Sequence, residues 1–184
     1  MSTVRFGEEE FASDTDTVAL VNLEWPDLTP LAGLAHLREL RLTHTNPHVS
    51  PGGLPIDLAP LARLGALEVL VLQHYPLESL EPLRGLSQLR VLDLSFAPVT
   101  DLGVLAALPN LRDLGLRATS VAELAPLSGL TRLEAVDVAH TRVSSLQPLH
   151  GLPALRRLDV EGSAVPPSEV EALTGAVPQV VVTT

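Results

Sequence analysis

By type and spacing, His44, His48 and His74 are the residues most able to do chemistry. Three imidazoles brought together can hold zinc and leave one coordination position open. No carboxylate nearby is clearly placed to orient them, which a working zinc site usually needs. Asp137 and Asp159 form a second candidate pair. They lie 22 residues apart, so strands stacked with that period would bring them within about 5 Å of each other. Two carboxylates at that spacing suit a retaining glycosidase. An open sheet face, however, offers little of the desolvation needed to raise one pKa. No cysteine and no Gly-x-Ser-x-Gly elbow is present, and Pro51-Gly52-Gly53 reads as a turn. Catalysis, a resident metal and a cofactor are therefore not expected. An enzyme or metal-binding protein using His44, His48 and His74 stands as the alternative.

These residues sit on a periodic scaffold. The unit Leu-x-Pro-Leu-x-Gly-Leu-x-x-Leu-x-x-Leu-x-Leu recurs, with some substitution, from Leu58, Leu80, Leu102, Leu124 and Leu146, 22 residues apart. An earlier copy starts at Leu28, 30 residues before Leu58, and so carries eight extra residues. A fixed period in this range implies a solenoid whose units bury apolar surface against their neighbours. Leu-x-Leu segments such as Leu70-x-Leu72 and Leu92-x-Leu94 alternate with period two, as a strand with one buried face does. Apolar residues three apart follow them, which suits short helical or 3₁₀ turns. Pro30, Pro60, Pro82, Pro126 and Pro148 stand where those turns begin and need no N–H.

The repeat Leu-x-x-Leu-x-Leu resembles the leucine-rich repeat family, and the 22-residue period resembles its short subtype, shared by phosphatase-regulator and bacterial internalin-like proteins. The resemblance covers roughly 15–184. It implies an α/β fold: a right-handed curved solenoid of about eight parallel strands, with short helical or 3₁₀ turns on the convex face. The family places asparagine nine residues into the motif, where its amide ties coils together. This chain has Thr45, Tyr75, Ala97, Thr119, Thr141 and Ser163 there. A hydroxyl replaces part of that bonding, whereas Tyr75 and Ala97 do not, so the ridge around those two should be irregular.

A single domain, 1–184, is expected. Residues 1–27 should form a cap and a degenerate first coil, 28–165 the repeats with an insertion near 45–56, and 166–184 a helix–strand cap. Val18 and Leu20 fit the first strand; Leu23, Trp25 and Leu28 should point inward, and Phe6 and Phe11 should cover the open side. Ser168-Glu-Val-Glu171 reads as a capping box, with Val177, Val180 and Val182 in a last strand.

A net charge of −10 argues against nucleic acid and against an anionic membrane. Met1 to Asp16 lacks the features of a secretory signal, and no stretch of about twenty apolar residues occurs. With no cysteine, these features suggest a cytoplasmic protein, and the resemblance to internalin-like repeats implies a bacterial one.

The expected function is non-enzymatic protein interaction, because a solenoid presents an extended face. Residues between the strand leucines should fall in three columns. Carried forward by the period, these place Gln179, Val181 and Thr183 at the last positions. Val69, Val71 and Val91 should make an exposed apolar patch. Asp93, Asp113, Asp137, Asp159 and Glu161 should form an acidic track, interrupted by Arg117 and Arg157. Gly115 should leave room in that track for a partner's side chain. On the adjoining ridge, His74, Tyr75 and Phe96 are candidate anchors, being aromatic or imidazole side chains on proline-stiffened loops. The expected binding set is Arg41, Val69, Val71, His74, Tyr75, Val91, Asp93, Phe96, Asp113, Arg117 and Asp137. The expected partner is a protein or peptide with basic and apolar residues. The chain should be a monomer, with self-association through the valines as the alternative. A ligand-sensing segment of a bacterial signalling protein is a further alternative.

Overall fold

Alternating leucines decide the architecture of the computed structural model, which describes residues 3–23, 27–44 and 55–184. Eight short strands form one parallel sheet in chain order. They are β3 (Thr17–Val21), β4 (Glu39–Thr43), β5 (Val69–Gln73), β6 (Val91–Asp93), β7 (Asp113–Gly115), β8 (Ala135–Asp137), β9 (Arg157–Asp159) and β10 (Val181–Thr183). Leu40, Leu70, Leu92, Leu114, Val136 and Leu158 stack in one row beneath the sheet, each at most 2% exposed. Each buried leucine contributes about 1.5–3 kcal/mol, and each row depends on its neighbours for that burial.

The convex side of each coil from β3 to β9 is a 3₁₀ turn, from Thr29–Gly33 to Gln147–Leu149. Proline at the first or second position opens five of the six turns. Leu31, Leu61, Leu83, Leu105, Leu127 and Leu149 reach from these turns into the core and are fully buried.

The two ends differ from the expected detail. At the start, β1 (Thr3–Phe6) and β2 (Glu9–Ala12) form an antiparallel hairpin, and β1 packs on the first 3₁₀ turn. Gly7 turns the hairpin in the left-handed region (φ 63°). Phe6 is buried, and Phe11 packs partly buried against the core. Val18 and Leu28 are buried, Leu20 and Leu23 half-buried, and Trp25 lies outside the described residues.

At the far end, α1 (Pro167–Ala176) starts one residue before Ser168, with Pro166 as its cap residue and no side-chain cap bond. The expected capping box is therefore absent. Glu169 instead reaches the preceding coil, where its carboxylate accepts from the Leu146 N–H (2.7 Å) and from Ser145 Oγ (3.0 Å). It caps a neighbour's turn rather than its own helix. The coil containing α1 is also longer: Val181, not Gln179, pairs with Arg157, and Thr183 pairs with Asp159. Counting by 22 misplaces this strand by two residues, because a full helix takes up more chain than a 3₁₀ turn.

No helix among the described residues is long and apolar enough to cross a membrane.

Candidate functional site: the concave face of the sheet

Parallel registry turns the sequence period into columns of side chains. The first column runs Thr17, Glu39, Val69, Val91, Asp113, Ala135, Arg157, Val181. The second runs Ala19, Arg41, Val71, Asp93, Gly115, Asp137, Asp159, Thr183. A groove of about 460 Å³ lies over β6–β10, lined by Val91, Asp93, Asp113, Gly115, Ala135, Asp137, Arg157, Asp159, Val181 and Thr183.

Several carboxylates in the groove are held by the backbone two residues on. Asp93 accepts from the Ser95 N–H (2.9 Å), Asp137 from Ala139 (2.9 Å) and Asp159 from Glu161 (3.0 Å). Asp93 also accepts from Gln73 Nε2 at 2.6 Å. Gly115 is what admits it: a Cβ there would stand 2.6 Å from the Asp93 Oδ1. The space beside Gly115 thus serves the chain's own Asp93, not a partner's side chain as expected.

Arg157 in the groove and Arg117 at its edge each reach across an intervening strand. Arg157 bonds Asp113 at 3.1 Å across Ala135, and Arg117 bonds Glu161 at 3.1 Å, with Asp159 at 3.7 Å. Between these two pairs stands Asp137. Burial pushes its carboxyl above the ordinary aspartate range, and Asp159 and Asp93 add to the rise. The Ala139 N–H and Arg117 oppose it.

The other expected site residues separate by burial. Tyr75 is wholly buried, correcting its expected role as an exposed anchor. Its hydroxyl donates to the Leu23 carbonyl at 3.3 Å, and the His44 ring meets it edge-on at 6.1 Å. Val71 is 4% exposed and Val69 and Val91 are half-buried, so the expected exposed patch is reduced to the partly covered pair Val69 and Val91. Arg41 forms an ion pair with Glu39 on its own strand.

Phe96 remains exposed (44%) and stacks on His74, with ring centroids 4.3 Å apart and planes 7° from parallel. Burial, and to a lesser degree His44, lowers the His74 pKa. The ridge backbone is regular at His74 and Phe96, whereas just beyond Tyr75 the coil departs from its neighbours by bridging Leu77 to Ile56. His74, Phe96, Ala118 and His140 share left-handed φ values of 54–66°, and each N–H donates to a carbonyl of the next coil. Backbone bonds tie these coils at the turns where the resemblance implied an asparagine. The hydroxyls of Thr119, Thr141 and Ser163 bond carbonyls of their own turns. No group of three potential metal ligands occurs among the described residues, and His48 lies outside them.

No family model and no curated protein matches the chain. Solved structures do. An internalin, InlF from Listeria monocytogenes, superposes with a TM-score of 0.78 at 22% identity, covering 96% of this chain and 50% of its own. A leucine-rich repeat protein from Leptospira interrogans gives 0.74 at 22% identity, covering 87% of this chain and 40% of its own. The fold is a leucine-rich repeat solenoid. A plant peptide hormone receptor, RGFR1 in complex with RGF2, shares it at TM-score 0.67 and 14% identity, covering 92% of this chain and 28% of its own. The chain thus spans half or less of the length of each of these neighbours.

Val181 and Thr183 line the groove of this solenoid in columns other than those the repeat count gave them. The signal available for them was the ten-residue helix, which lengthens the last coil.

Proposed function

We propose that this leucine-rich repeat solenoid is a non-enzymatic protein-interaction module. The concave face of β6–β10 receives an extended segment of a protein partner. One observation carries the reading: an open groove on an unpartnered sheet face, with apolar walls and four carboxylates against one arginine. Val91, Asp93, Asp113 and Asp137 are the expected contacts retained in this reading, joined by Asp159 and Val181. His74 and Phe96 flank it on the ridge. The plant receptor, a solenoid of the same kind in complex with RGF2, supports a protein or peptide as the kind of partner. The surplus of negative charge favours a basic segment and would speed its approach.

Selection of random octapeptides on phage against the full chain tests the proposal. Peptides recovered on the wild type should lose binding to a variant carrying Asp113→Arg and Asp159→Arg whose unfolding remains cooperative. Undiminished binding to that variant would move the site off the groove.

A further inference from the structure

We infer that the partner seats one basic side chain, from arginine or lysine, at Asp137, between the two ion pairs that frame it. This rests on the groove being the partner site and specifies what the groove selects.

The groove's own cations are already engaged. Neighbouring strands lie about 4.8 Å apart, so a residue and its equivalent two strands on are about 10 Å apart. Arg157 spans that distance to Asp113, and Arg117 spans it to Glu161. Alanine stands in the middle of each span, as Ala135 and Ala139, and neither blocks the crossing. Two ion pairs therefore bound a short stretch of the middle column, with Asp137 at its centre, Asp159 next to it in register and Asp93 two strands away past Gly115. Gln73 and the Ser95 N–H hold Asp93, and Arg117 stands 3.7 Å from Asp159. Asp137 has only the Ala139 N–H among its bonds.

A half-buried carboxylate between two like charges is better off neutral, and the direction of its pKa shift agrees. An incoming guanidinium or ammonium group relieves both costs at once. A neutral or acidic side chain relieves neither, so the position discriminates by charge. Alternate side chains of an extended segment face the sheet, and Val91 and Val181 would receive apolar residues flanking the basic one.

The same octapeptide selection, read by sequence and by affinity, tests this. Wild-type selections should converge on one arginine or lysine. Asp137→Asn, which keeps an oxygen for the Ala139 N–H, should weaken the selected peptides about tenfold, the effect of losing roughly 1.4 kcal/mol. The exposed control Glu123→Gln should leave affinity unchanged. Groove-binding peptides with no basic residue, or undiminished affinity for Asp137→Asn, would overturn the subsite and leave the groove standing. Peptides that bind the Asp113→Arg/Asp159→Arg variant equally well would overturn both.

Discussion

At the residue scale, Asp137 is set against its own stability. Its ionised form is the costly one in the folded chain, since its folded pKa lies above the ordinary 3.8. Its favourable contribution is complete below the unfolded value and is lost as pH rises through the folded one. Asp137→Asn should therefore raise the thermal midpoint at pH 7, with the gain vanishing below the ordinary aspartate range. A fall in midpoint at pH 7 would show that the charge is compensated within the chain. Gly115→Ala should force Asp93 aside and cost about 1–3 kcal/mol in denaturant unfolding. Tyr75→Ala should cost about 3–5 kcal/mol, as an emptied aromatic core site does. Tyr75 shares its repeat position with Ala97, Thr119 and Thr141, which are buried too, so position in the coil and not residue type decides its burial. Its exposure was expected from residue type, and register prevailed. The carboxylates of the groove were legible from spacing. Their partners were not, because Arg157 and Arg117 bond two strands away, and a one-dimensional period does not say which rotamer a long side chain takes.

At the element scale, the strands and 3₁₀ turns follow directly from the repeat, since each needs only alternating or three-spaced leucines and a proline. The two ends escape it. The hairpin of β1 and β2 has no repeat to announce it, and the helix α1 lengthens its coil by two residues. Glu169 shows how that helix docks. Hydrogen bonds from Leu146 and Ser145 hold its carboxyl below the ordinary glutamate range. The stabilisation is therefore present above the unfolded pKa and lost as pH falls through the folded one. Glu169→Gln should loosen α1 and speed amide exchange in Leu173 and Val177 at neutral pH, converging with the wild type in acid. Equal exchange at pH 7 would show that apolar packing alone seats the helix.

At the scale of the whole molecule, the solenoid does two things with one set of residues. Leucines facing inward hold the coils together, and the residues between them form a continuous outer surface. A chain with charge −10 keeps Arg41, Arg117 and Arg157 in ion pairs on the concave face, and the groove stays acidic despite them. Peptide affinity should accordingly fall with added salt, as contacts with exposed charges do. The most direct test of the account is backbone amide NMR of the chain titrated with a selected basic octapeptide. The account predicts shifts confined to β6–β10 and the Asp137–Ala139 turn. Shifts centred on the convex 3₁₀ turns or on the β1–β2 hairpin would contradict it.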